Sequence, residues 1–116
     1  MKDKIEKVFK EKLQPLKDSN FLIAVSGGLD SMVLASLFKK NNLKFSVAHC
    51  NFKLRSNESD EDDLFVCNWS KENNQKYFSA IFNTVDFCKN NKVGIQEGAR
   101  NLRYKWFHDL KEIYGF

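Results

Sequence analysis

The stretch Phe21-Leu22-Ile23-Ala24-Val25-Ser26-Gly27-Gly28-Leu29-Asp30-Ser31 runs from an unbroken apolar segment directly into a glycine pair flanked by serines. Five apolar residues bounded by turn chemistry predict a buried strand over 20–25, of the kind that parallel sheets use. Behind the turn, Met32-Val33-Leu34-Ala35-Ser36-Leu37-Phe38 predicts a helix from about 30 to 40. A strand, a glycine turn and a helix N-terminus in that order build an anion site. Glycines let the backbone approach a phosphate, and the free N–H groups and dipole of the first helical turn favour negative charge. Ser26 and Ser31 add hydroxyl donors. Asp30 is the odd member, because a carboxylate beside phosphates is repulsive unless a cation lies between them, which points to Mg²⁺.

Outward from this loop the pattern alternates. Residues 3–14 carry Ile5, Val8, Phe9 and Leu13 at helical spacing, closed by Pro15 and Lys17-Asp18-Ser19-Asn20. Asn41-Asn42 ends the helix after the loop, and Leu43 to Ala48 predicts a second strand. An acidic run from Ser56 to Asp63 suits a helix start, with Leu64, Phe65, Cys67 and Trp69 as its apolar face up to about 73. Tyr77 to Phe82 predicts a third strand and Val85 to Asn91 a short helix. Gly94 to Tyr114 contains a longer helix with Ala99, Leu102, Trp106, Leu110 and Ile113 near one face. Strands alternating with helices predict an α/β, Rossmann-like fold, its parallel sheet covered by helices on both faces. Three strands in the order 3-2-1 leave the first as an edge, and ligands in such sheets bind at the carboxyl ends of the strands.

The chain has 116 residues, enough for one domain, with 42% apolar and 14% aromatic residues to fill a core. A net charge of +4 is compatible with a polyanionic partner, and equally with lysines scattered on solvated helix faces. Cys50, Cys67 and Cys88 are odd in number and contain no C-x-x-C pair, which speaks against a zinc ribbon or redox dithiol and fits a reducing, cytoplasmic setting. The first residues lack the apolar core of a secretion signal, and no apolar stretch reaches membrane-spanning length.

The turn is neither a Walker A loop, since it has no lysine, nor a Gly-x-Gly-x-x-Gly fingerprint. SGGLDS resembles instead the PP-loop of the ATP pyrophosphatases, which split ATP between its α- and β-phosphates. Two further blocks narrow the resemblance: His49-Cys50-Asn51-Phe52-Lys53-Leu54-Arg55 followed by Glu58-Ser59-Asp60, and Ala99-Arg100-Asn101-Leu102-Arg103-Tyr104. Together with SGGLDS they resemble the blocks of the tRNA(Ile)-lysidine synthetase family, at similar spacing, from about Phe21 to Tyr114. Many members carry a second histidine where this chain has Phe52, so that position has no catalytic role here.

The resemblance implies an ATP-dependent ligase that adds free lysine to the wobble cytidine of an isoleucine tRNA, releasing AMP and pyrophosphate. ATP would lie on Ser26, Gly27, Gly28, Leu29, Asp30 and Ser31, with His49 and Asn51 near the adenosine and Mg²⁺ on Asp30. Arg100 and Arg103 would stabilise phosphate charge. It also implies that residues 1–116 form the N-terminal part of the catalytic domain, with further strands and tRNA-binding domains beyond. Such a piece is expected to be inactive by itself and to self-associate, most simply as a dimer across its apolar edge strand. Read bottom-up, His49 has an alternative as a half-buried strand residue, Arg55 as the ion-pair partner of Glu58, and Arg100 and Arg103 as partners of Glu97 or Asp109. A PP-loop tRNA sulfur-transferase, or a non-catalytic adenine-nucleotide module, are the rival functions.

Overall fold

Three parallel strands, β1 (Phe21–Ala24), β2 (Phe45–Asn51) and β3 (Lys76–Ile81), lie side by side in the spatial order β1-β2-β3. The computed structural model describes residues 19–55 and 57–116. Helix α1 (Leu29–Lys40) joins β1 to β2, and α2 (Asn57–Glu72) joins β2 to β3. Helices α3 (Thr84–Asn91) and α4 (Ile95–Tyr114) follow the last strand. The order is the 3-2-1 arrangement predicted. The amphipathic stretch at 3–14 lies outside the described residues.

Side-chain alternation sends successive strand residues to opposite faces. Phe21 pairs in register with Phe45, and Val47 with Tyr77, so these rings and branched chains share one face. There the aromatic contacts Phe21–Phe38, Phe38–Phe45 and Phe45–Trp69 join the sheet to α1 and α2 at centroid distances of 5.1, 5.7 and 6.4 Å. The opposite face meets α4, through Phe78–Tyr114 at 4.8 Å and Phe82–Trp106 at 6.3 Å. Helices therefore cover both faces. Central β2 is accordingly buried along almost its whole length, with Val47 and Ala48 at 0% and 1% exposure.

Two sequence expectations need correction. Strand β2 does not stop at Ala48 but continues through His49, Cys50 and Asn51, because Cys50 and Asn51 pair with Ala80 and Ile81 of β3. Asn51 thus ends a strand and does not lie in the following loop. In α2 the apolar face predicted from Leu64, Phe65, Cys67 and Trp69 holds only in part: Leu64 and Phe65 are exposed, Cys67 is half-buried, Trp69 is half-buried against the core, and Ser59, Val66 and Ser70 are buried. Positions 59, 66 and 70 repeat at i, i+7, i+11, and small side chains there let the helix lie close to β2 and β3. Ser70 satisfies its buried hydroxyl by donating to the Val66 carbonyl at 2.8 Å. Similarly, Ile113 at the end of α4 faces solvent, while the next residue, Tyr114, packs on β3.

At the other edge, β1 pairs among the described residues with β2 alone, and a cavity of about 370 Å³ opens between it and α4, lined by Leu22, Ala24, Phe107 and Phe116. Self-association at this edge is the expected behaviour in solution. Light scattering that gave a monomer at about 100 µM, where a weak dimer already shows, would overturn it.

Candidate phosphate-binding site

The turn between β1 and α1 is built by glycine in a conformation other residues avoid. Gly27 has φ +91°, and the chain then returns to an extended Gly28 before α1 begins. A side chain at position 27 would be strained whatever the free space around it. Both serines brace the loop from inside. The Ser26 amide donates to Ser31 Oγ at 3.2 Å, and the Gly28 amide to Ser26 Oγ at 3.2 Å. Ser31 donates its hydroxyl to the Gly28 carbonyl at 3.0 Å, so in the 3.2 Å contact between the two hydroxyls Ser26 is the donor. The loop is pre-shaped before any ligand arrives. The amides at the start of α1 have no acceptor within the helix and point out of its N-terminus, and Asp30 sits exposed in this first turn.

The carboxyl end of β2 supplies the neighbouring wall. His49, 4% exposed, makes a 2.7 Å hydrogen bond from Nδ1 to the Val25 carbonyl; because a carbonyl only accepts, Nδ1 carries the hydrogen. The ring thereby ties the end of β1 to β2 and also lines a cavity of about 320 Å³ with Ser26, Cys50 and Phe52. Asn51 is more fully committed. Its Nδ2 donates to Asp60 at 2.9 Å and its Oδ1 accepts from the Lys53 amide at 3.1 Å, which brackets the turn into α2. Lys53 in turn pairs with Asp60 at 2.5 Å, and this bond, with that of Asn51, holds the Asp60 carboxyl below its ordinary range. Behind Asn51, Asp63 accepts from Tyr77 and from Ser79; burial first, and then the bond to Asp63, push the Tyr77 phenol up.

The two arginines of α4 separate. Arg103 lines a cavity of about 170 Å³ with Ser26, Cys50 and Phe52, on the α4 side of the loop. Arg100, three residues earlier, is exposed and lines none of the described cavities that meet the loop. Neither Glu97 nor Asp109 forms an ion pair with them among the described residues. Cys50, between the two cavities, is a protonated thiol at neutral pH: burial pushes it up to about 11 against the pull of the Arg103 guanidinium. Since the folded thiol keeps its proton above pH 9, where an unfolded one begins to lose it, this group lowers stability as pH climbs from about 9 to 11.

Sequence reasoning assigned the glycine loop, His49 and, through the resemblance, both Arg100 and Arg103 to the site; the structure brings the loop, His49 and Arg103 around Ser26 and leaves Arg100 outside. Sequence reasoning missed Asp62, whose carboxylate lies against Gly27 and pairs with Arg55 at 2.6 Å. Glu58, the partner foreseen for Arg55, stands farther off at 3.7 Å. A seven-residue separation across a strand-to-helix turn leaves no periodic signal from which such a pair is read.

A strand, a left-handed glycine turn braced by two serines and a helix N-terminus define a phosphate-binding α/β domain. The chain belongs to the PP-loop domain family, whose profile matches residues 1–114. It is similar to the tRNA(Ile)-lysidine synthase of Bacteroides thetaiotaomicron, 36% identical over 100 residues that cover 86% of this chain and 24% of that protein. The tRNA(Ile)-lysidine synthase of Chlorobaculum tepidum is 38% identical over 91% of this chain and 33% of its own length. That of Streptococcus mutans is 32% identical over 98% of this chain and 26% of its own length. The chain thus spans about a quarter to a third of these relatives. Among the described residues no helix is long and apolar enough to cross a membrane.

Proposed function

We propose that this chain binds ATP on Ser26–Ser31 and takes part in joining lysine to the wobble cytidine of an isoleucine tRNA. The observation that carries the nucleotide half is the loop itself: Gly27 at φ +91° turning β1 into the open N-terminus of α1, with Ser26 and Ser31 already in place. Membership of the PP-loop domain family supports ATP as the ligand, and the tRNA half rests on the similarity to tRNA(Ile)-lysidine synthases.

In the proposed reaction the cytidine O2 attacks the α-phosphorus of ATP, the bond to the bridging oxygen breaks, and pyrophosphate leaves. The lysine amine then adds at the ring carbon that bears this oxygen, the carbon–oxygen bond breaks as AMP departs, and the amine proton passes to solvent. The amides at the start of α1, on the loop that Ser26 and Ser31 brace, hold the departing pyrophosphate in line. Arg103 is the residue that would meet charge on the α-phosphate, a role supported by the cavity it shares with Ser26. His49 and Asn51 shape the wall on the adenosine side.

Asp30 fits a magnesium ion. Among the described residues no group of three His, Cys, Asp or Glu forms a cage, and Mg²⁺ beside nucleotides is held by one or two carboxylates together with phosphate oxygens and water. When bound it would supply charge neutralisation on the phosphates. Asp30→Ala is expected to remove the gain in ATP affinity that Mg²⁺ brings, about tenfold, without lowering the melting temperature, because the carboxylate is exposed. Calorimetry with equal Mg²⁺-dependent affinity in both proteins would take Asp30 out of this role.

The reaction is tested with this chain in place of the matching stretch of the Bacteroides relative. Given ATP, lysine and an isoleucine tRNA with a wobble cytidine, the chimera is expected to incorporate labelled lysine and release AMP. Release of ADP, or ATP binding with no lysine-dependent turnover, would favour a nucleotide-binding module without this chemistry. Sulfur transfer is the less supported rival: Cys50, Cys67 and Cys88 form no C-x-x-C pair.

A further inference from the structure

We propose that Arg55 is a phosphate-contact residue, held across the mouth of the glycine loop by Asp62 until a polyphosphate takes it over. The inference rests on the ATP-binding reading above. Arg55 lines two cavities, of about 320 and 480 Å³, that share Ser26 and Asp62, and the larger one is floored by Gly27 and Gly28. The wall of that larger cavity carries Glu58, Glu61 and Asp62, and among the described residues Arg55 is the cation that lines it with them. Asp62 stands against the loop itself: a Cβ built on Gly27 would meet the Asp62 Cβ at 3.5 Å. Three carboxylates facing a loop that receives phosphates are repulsive, and one arginine is placed to change their effect.

The geometry makes that exchange a side-chain event. The Arg55 amide donates to Ser59 Oγ at 3.1 Å, and its carbonyl accepts from the Glu58 amide at 3.1 Å, so the backbone is pinned from α2. From this anchor the guanidinium reaches Asp62 and, at 3.7 Å, the exposed Glu58. Its 2.6 Å bond to Asp62 joins side chains that are 63% and 34% exposed, and an exposed pair of this kind gains little from being closed. A phosphate offers the same fork of donors two oxygens with more negative charge, a better partner for arginine than a single solvated carboxylate oxygen. Lys53, the neighbouring cation, is engaged by Asp60 at 2.5 Å and does not line either cavity.

The test is calorimetry on this chain with inorganic pyrophosphate and with ATP as probes. Arg55→Ala is expected to weaken both about tenfold, with Arg55→Lys in between, since lysine restores the charge without the fork. Asp62→Asn is expected to tighten both about threefold, by freeing Arg55 from an exposed pair. In the Arg55→Ala background the Asp62→Asn gain should vanish, a coupling that simple repulsion by Asp62 would not produce. Thermal melts by circular dichroism check that each variant folds. Equal affinity in Arg55→Ala and wild type, a persistent Asp62→Asn gain in the double variant, or weaker binding in Asp62→Asn alone would each overturn the proposal while leaving ATP binding intact. Absence of pyrophosphate and ATP binding in the wild type would overturn the ATP-binding reading along with it.

Discussion

Arg103→Ala is expected to lower lysine-dependent AMP release by the chimera about 100-fold, and Arg100→Ala to change it by less than about threefold. The two residues lie i, i+3 on α4 and so share a helix face, yet they meet different surroundings. Arg103 borders the cavity that contains Ser26 and acts on Cys50, whereas Arg100 is exposed and outside it. A guanidinium that meets charge only as it develops on the α-phosphate appears in turnover more than in ATP affinity. Steady-state kinetics with both single variants reads the difference. Equal losses would mean that both arginines reach the phosphates, and a loss only with Arg100→Ala would reverse the assignment.

Gly98→Ala is expected to destabilise the chain by about 1–3 kcal/mol, which for a domain of this size lowers the melting temperature by roughly 5–20 °C. A Cβ on Gly98 would fall 2.2 Å from Cys88 Sγ, far inside contact distance, with Phe87 and Val93 close behind at 3.5 Å. Cys88 has little room to yield, being 5% exposed and donating weakly to the Gly94 carbonyl at 3.4 Å. The clash lies where α3 turns into α4, the helix that carries Arg103. Pairing the change with Cys88→Ala should recover most of the loss, because the two substitutions then share one space. Melts of the single and double variants decide the point, and additive losses would place the strain elsewhere.

The parts of this molecule that were legible in the sequence are those written in periodicity and turn chemistry. The apolar run before Ser26, the glycine pair and the Asn41-Asn42 stop placed β1, the loop and α1 within a residue or two, since local rules decide all three. The extension of β2 through His49-Cys50-Asn51 was not legible, because those residues have little strand preference and are held by pairing with β3. Nor was the buried stripe of α2. Hydrophobicity points to Leu64 and Phe65, but close approach to the sheet selects Ser59, Val66 and Ser70. The site followed the same division. The loop announced itself, whereas Asp62 became visible only once α2 was laid against it.

The two tryptophans stand at opposite ends of the aromatic contacts already described. Trp69 meets Phe45 in the core, on the face of the sheet covered by α1 and α2. Trp106 meets Phe82, and Phe82 stacks at 5.5 Å on Phe52, which borders two of the three cavities around Ser26. The chain therefore carries two intrinsic fluorophores with different duties. With Trp69→Phe the remaining emission is expected to report changes at the cavities around Ser26, two phenyl rings away, and with Trp106→Phe the integrity of the interior, so that occupancy and unfolding can be followed separately without an added dye.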